Sequence, residues 1–237
     1  TRLVEMADRA IFRDCTSADE CRRFCRAGKV SVAVDPAFFA CRHFLATVGE
    51  PRREGHIAVN FRDLDAEGGH YGDGSLLRDV SHGILSDISG QTNLPVYLVP
   101  MHSFFIGGDD RVVLERIRAE QGNQNIRVLH DPPSLLDAMR IFYHAKACVG
   151  MRFHSIVMQT VLNGNNYIVD YTDPGTGKIA AMMRHFRLDG IHPARYMSLH
   201  SPGSSLKVNL DDDVRYACDS EIVETGRHVY LDALGHL

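Results

Sequence analysis

Ala147-Cys148-Val149-Gly150-Met151-Arg152-Phe153-His154-Ser155 turns from an unbroken apolar run directly into an arginine and a histidine. The run Ala147 to Met151 is short and does not alternate, so it predicts a strand buried on both faces, with a helix following from about His154 to Leu162. The same beat holds on either side. Upstream, Ile57-Ala58-Val59-Asn60, Val96 to Val99 and Ile126 to Leu129 predict strands, and residues 75–89, 109–120 and 134–145 predict helices. In the last of these Leu135, Met139, Phe142 and Tyr143 recur at the spacing of one buried stripe. Downstream, Tyr167 to Asp170 predicts a strand and Lys178 to His185 a helix. Apolar strands alternating with helices predict a doubly wound parallel sheet, covered on both faces, from about residue 56 onward.

Before that point the rhythm is looser. Ala10-Ile11-Phe12-Arg13 predicts a strand, and Thr16-Ser17 followed by Asp19-Glu20 predicts the cap of a helix that runs to about Arg26 and closes at Gly28. Val30 to Val34 predicts a second strand, ending at Asp35-Pro36. The polar, breaker-rich stretch Gly49 to Gly55 is the best linker candidate. The expected division is residues 1–50 as the remainder of an N-terminal Rossmann-like domain, 51–56 as a linker, and 57–237 as a C-terminal Rossmann-like domain. A terminal helix is expected over Ser220 to Leu234, with Ile222, Val223, His228, Val229 and Leu231 as its apolar side. The chain begins Thr1-Arg2-Leu3-Val4-Glu5, without Met, which suggests a start inside the first domain.

Composition narrows the class. With 237 residues, 44% hydrophobic and 24% charged, the chain can bury a core in one large or two small domains, which excludes a disordered, collagenous or disulfide-scaffold protein. A net charge of −4 without a long basic run excludes a nucleic-acid binder, whereas a few arginines suffice for a small anion. The spacings of Cys15, Cys21, Cys25, Cys41, Cys148 and Cys218 match no zinc or redox pattern, and no cationic apolar leader precedes them, so reduced thiols in a cytoplasmic protein are expected. No apolar run approaches the roughly 20 residues of a membrane span. The 13 histidines contain no His-Glu-x-x-His, so no metal ligands are assigned.

In an open α/β sheet, ligands bind beyond the carboxyl ends of the strands, where helix N-termini favour anions. Arg152 and His154 fall at such a junction. A cation there opposes the helix dipole, and a bound anion would account for it; an ion-paired structural arginine remains the other reading. Lys178 follows the next strand, while Arg13-Asp14 and Arg62-Asp63 end two others. These cations predict an anion pocket. Asp14 and Asp63 would orient the arginines beside them or serve as a base. The glycine-rich Glu67 to Gly74 fits no phosphate-loop pattern and reads as a loop or lid near the cleft. Asp109-Asp110, after His102 and Gly107-Gly108, reads as a helix cap.

Ile11-Phe12-Arg13-Asp14-Cys15-Thr16-Ser17, then Asp35-Pro36-Ala37-Phe38, then Val149 to Ser155, then Asp170-Tyr171 with Lys178, together resemble the polysaccharide pyruvyl transferase family in order and spacing over most of the chain. Phe153 stands where that family has leucine, and the loop before Lys178 is longer than usual. The resemblance implies a GT-B-like pair of Rossmann-type domains, the C-terminal one complete and the N-terminal one partly present. It implies transfer of pyruvate from phosphoenolpyruvate to a hydroxyl pair of a polysaccharide or its lipid-linked precursor, forming a ketal and releasing phosphate. It implies Arg152 and His154 as catalytic and Arg13, Arg152, His154 and Lys178 as donor-binding, with Arg62 and Asp14 as additional candidates. Phosphoenolpyruvate would be a co-substrate and no other cofactor is implied; the need for a divalent cation stays open. The partners implied are the donor and a saccharide acceptor, at the inner face of the cell membrane and held there through the acceptor. Two other readings of the same residues stay open: a glycosyltransferase using a nucleotide-sugar, and a non-catalytic Rossmann-like module that binds an anion or a partner.

Overall fold

A computed structural model describes residues 4, 6–25, 27–53, 55–64, 75–104, 108–131, 133–173, 177–186, 193–201, 203, 205–216 and 218–235. Six short apolar strands, β3 (Ile57–Asn60), β4 (Val96–Leu98), β5 (Ile126–Val128), β6 (Ala147–Gly150), β7 (Asn166–Asp170) and β8 (Tyr196–Ser198), form one parallel sheet in the order β5-β4-β3-β6-β7-β8. Every residue of β3, β6 and β7 is buried, as a sheet covered on both faces demands. The strand laid down first lies centrally, and the order reverses between β3 and β6, the Rossmann arrangement with its switch point between those two strands. Their register pairs Asn60 with Gly150, so both carboxyl ends open at one level.

The covering helices are α3 (Ser75–Gln91), α4 (Asp110–Gln121), α5 (Leu135–His144), α6 (Phe153–Met158) and α7 (Lys178–His185). Ser134 caps α5, accepting from the Asp137 amide, and its buried stripe is Ala138, Met139, Phe142 and Tyr143. Leu135, expected in that stripe, is the first residue of the helix and is 58% exposed. Past Met158 the backbone opens into a π-helical turn, Gln159–Asn163, that ends at Gly164. A side chain at Gly164 would strain a backbone with φ +82° and would meet the Tyr216 carbonyl at 2.7 Å, so glycine is required there. No helix among the described residues is long and apolar enough to cross a membrane.

Ahead of the large sheet, β1 (Ala10–Phe12) and β2 (Val30–Val32) pair in parallel as a two-stranded sheet, connected by α1 (Cys15–Arg22). The cap of α1 is Asp14, which accepts from the Ser17 amide at 2.7 Å, rather than Thr16-Ser17. A helix unforeseen in the sequence, α2 (Ala37–Thr47), follows Pro36. It buries Phe38, Cys41 and Phe44, with Phe38 stacked on Phe186 at 4.1 Å and Phe44 edge-on to Tyr143 at 5.6 Å. Although it precedes residues 51–56, α2 thus packs in the helical layer over the large sheet. The last helix, α8 (Ser220–Gly235), returns to the first segment. Its buried positions are Val223 and Gly226, whereas His228 and Leu231 face solvent, contrary to the expected apolar side. Any Cβ at Gly226 would lie 3.0 Å from the Val34 amide nitrogen, and the Tyr230 hydroxyl donates to the Val34 carbonyl at 3.1 Å. All six cysteines are free thiols.

Candidate active site

The floor of the site is the switch point. Asn60, at the end of β3, donates from Nδ2 to the Val99 carbonyl at 2.9 Å, and its Oδ1 accepts the Arg152 amide at 3.0 Å and lies 3.0 Å from Ser155 Oγ. One amide side chain therefore ties the ends of β3, β4 and β6 together. At Gly150 a Cβ would sit 2.5 Å from Gln159 Oε1, so the π-helical turn folds Gln159 against the strand end only because the strand finishes in glycine.

Arg152 leaves this floor and forks onto Asp110, Nε to Oδ2 at 2.7 Å and Nη2 to Oδ1 at 2.6 Å. Asp110 is fully buried and also accepts the Met101 and His102 amides at 3.0 and 3.1 Å. Only Asp109 caps α4, as the expected pair of caps divides its work: Asp109 accepts the Arg111 amide, and Asp110 turns inward. The Arg152 fork, expected to grip a ligand's carboxylate or phosphate, is engaged by a protein carboxylate, with Nη1 outside that fork.

His154, one residue into α6, is 55% exposed on its side chain, and its Nε2 lies 3.6 Å from Asp35 Oδ2. The same oxygen accepts from Arg13 Nη1 at 3.1 Å, while Asp35 Oδ1 accepts the Ala37 amide at 3.0 Å. Burial would raise the Asp35 carboxyl, but His154, the Ala37 amide and Arg13 outweigh it and hold the pKa at about 2. The Arg13 guanidinium lies over the Phe153 ring at 4.3 Å, so the residue that replaces leucine in the motif serves as an aromatic platform.

Arg13, Asp14, Asp35, Lys178 and Tyr230 line one cleft of about 400 Å³. Lys178 Nζ lies 5.4 Å from the Tyr171 ring centre, and Arg62 covers the same ring at 4.2 Å. Arg62 is 2% exposed, so it lies beneath Tyr171 rather than in the cleft. Gly177 precedes Lys178 because any Cβ there would collide with the Thr172 side chain. Asp14 does not orient Arg13: both its oxygens go to Ser17, at 2.7 and 2.9 Å. Asp14→Ala is accordingly expected to destabilise the chain by about 1 kcal/mol through loss of the α1 cap, and Asp14→Asn by much less, measured by thermal unfolding.

The structure thus brings Arg13, Asp14 and Lys178 into one cleft and links His154 to Arg13 through Asp35. It puts Arg152 on Asp110 and Arg62 under Tyr171. Asp35, Asp110, Asn60 and Tyr171 are the partners that strand-end reasoning passed over as partners. Among the described residues no three His, Cys, Asp or Glu side chains cluster to hold a metal ion. A second cavity, of about 280 Å³, lies past β4 between Met101, His102, Phe104, Leu135 and Met158. Glu67 to Gly74 and Gly107 lie outside the described residues.

Residues 1–172 match the model of the family described as polysaccharide pyruvyl transferase. The chain belongs to that family. The match spans β1 to Thr172 and so includes Arg13, Asp35, Arg152 and His154, while Lys178 falls beyond it. No curated protein matches significantly. Among solved structures, the chain is similar to the N-terminal domain of Candida albicans trehalose-6-phosphate phosphatase, with 11% identity and a TM-score of 0.43 over 97% of this chain and 55% of that one. It is also similar to an α,α-trehalose-phosphate synthase (UDP-forming) from Burkholderia vietnamiensis, with 14% identity and a TM-score of 0.41 over 84% and 50% of the two chains. The chain spans about half the length of these structures.

Proposed function

We propose that the cleft binds phosphoenolpyruvate and that the chain takes part in transferring its pyruvyl group to two hydroxyls of a saccharide, as a ketal. The observation that carries this reading is the grouping of Arg13 and Lys178 in one cleft, with His154 joined to Arg13 by a shared carboxylate. The donor carries a carboxylate and a phosphate, and fixed cations are what its site needs. Arg13 offers a guanidinium fork and Lys178 a point charge. Arg152 enters through Nη1, outside its fork on Asp110.

Ketal formation starts with a proton delivered to the methylene carbon, which leaves C2 cation-like. One sugar hydroxyl adds there, the bond from C2 to the phosphate oxygen breaks, and the second hydroxyl closes the ring. Of the two hydroxyl protons, one replaces the proton spent on the methylene carbon and the other leaves on phosphate. His154 is the imidazole of this group, the side-chain type that most often delivers and recovers a proton as a general acid and base. A lipid-linked acceptor would carry the reaction to the inner face of the cell membrane.

Thermal unfolding tests the donor. Phosphoenolpyruvate at a hundred times its Kd is expected to stabilise the native chain by about 2.7 kcal/mol, a rise of several degrees, and Arg13→Ala is expected to abolish the rise. Stabilisation by a nucleotide-sugar but not by phosphoenolpyruvate would replace this reading with the glycosyltransferase one.

A further inference from the structure

We propose that Asp35 is the positioning residue of this site, holding the His154 imidazole and the Arg13 guanidinium in one fixed relation through a single carboxylate oxygen. The inference rests on the reading of the cleft given above. Three observations carry it. Asp35 stands in the turn between β2 and α2 and lines the cleft, whereas His154 lies in the first turn of α6 on the large sheet, so their pairing at 3.6 Å joins two parts of the chain beside the cleft. The carboxylate cannot swivel freely, because Oδ1 is taken by the Ala37 amide at 3.0 Å and Oδ2 is left to face Arg13 and His154. Arg13 is fixed a second time by the Phe153 ring, the residue immediately before His154. Proton carrier and donor-binding cation are thereby set against each other by one buried anion and one ring.

The chemistry follows from that arrangement. A carboxylate 3.6 Å from Nε2 favours a proton on that nitrogen and leaves Nδ1 to exchange a proton with substrate. The carboxylate also stabilises the imidazolium that forms when the ring takes up the hydroxyl proton. The other charged and titratable groups around the cleft are Asp14 at the start of α1, Lys178 on α7 and Tyr230 on α8. None of these is paired with His154 in the way Asp35 is.

Asp35 has a second role, as the acceptor that starts α2, and the test must separate the two. Asparagine and serine are both good acceptors at a helix start, so Asp35→Asn and Asp35→Ser keep the α2 start and remove the charge. The assay is phosphate release from phosphoenolpyruvate, with a panel of methyl glycosides bearing paired free hydroxyls and with water alone as nucleophile, together with calorimetric binding of phosphoenolpyruvate. In both variants kcat is expected to fall at least about 10–100-fold, the loss known for removing the carboxylate partner of a metal-bound imidazole and a lower bound for an imidazole that moves protons. KM for phosphoenolpyruvate is expected to rise far less. In a His154→Ala background the same change is expected to lower kcat no further, the non-additivity of groups that act as a unit. Asp35 variants that turn over like the parent, or that lower kcat equally with and without His154, would overturn the proposal. So would failure of both variants to fold, since the carboxylate would then be structural. Absence of phosphoenolpyruvate binding to the parent chain would instead remove the reading of the cleft on which the proposal stands.

Discussion

Arg152→Ala is expected to unfold about 10 °C below the parent chain, a loss on the order of 3–5 kcal/mol in a chain this size. The reason lies in Asp110, whose carboxylate is fully buried and forked by Arg152 at 2.6 and 2.7 Å. Taking away the guanidinium leaves that charge inside the protein, with the Met101 and His102 amides the hydrogen-bond donors left to it among the described residues. Those two amides put the effect toward the lower end of the range. Removing both members is a different matter: Arg152→Met combined with Asp110→Leu should recover part of the loss, because the uncompensated charge is gone while the Met101 and His102 amides lose their acceptor. Circular dichroism melting curves of the parent, the single variant and the double variant decide it. A single variant as stable as the parent would mean that the fork is dispensable and that Arg152 can turn to a ligand without penalty. Any activity lost in Arg152→Ala has to be judged against this instability.

His154→Ala has the opposite profile: little effect on stability and a large one on turnover. The side chain is more than half exposed and its polar tie is the 3.6 Å pairing with Asp35. Asp35 keeps Arg13 and the Ala37 amide when the imidazole goes, so the variant should stay within about 0.5 kcal/mol of the parent, the usual range for surface positions. Loss of the proton carrier should lower kcat by about 10²–10⁴, with the Kd for phosphoenolpyruvate changing by less than tenfold. Phosphate release and calorimetry, run side by side, separate the two quantities. A variant that loses donor binding and turnover in equal measure would make His154 a binding group rather than a proton carrier.

The large sheet was legible because its physics is local. A strand buried on both faces is apolar without interruption, and β3 and α7 have the bounds that their sequences predict, Ile57–Asn60 and Lys178–His185. The element that escaped notice, α2, starts after Pro36, which offers no capping side chain of its own, and its residues are as compatible with a strand as with a helix. Its helical state comes from packing Phe38 and Phe44 against rings distant in the chain. The three residues of β8 carry too little pattern to stand out from the irregular segments beside them. At the site, the strand-end rule found Arg13 and Lys178 in one cleft, because it depends only on topology. It could not find their carboxylates. Arg152 and Asp110 are 42 residues apart, and Arg13 and Asp35 are 22 apart, separations closed only by the fold. A hint was present at Asp109-Asp110, where a helix start needs one acceptor and the sequence supplies two.

The close approach of α8 to the first segment bears on how this sequence can diverge. Gly226 faces the Val34 amide across a gap that no side chain can enter, and Tyr230, one turn later, both lines the cleft and bonds the Val34 carbonyl. Selection on the cleft therefore reaches the last helix. A lineage could replace Gly226 only after the backbone near Val34 had moved, and that backbone carries Asp35. Positions 34, 35, 226 and 230 should drift as a set or stay as they are.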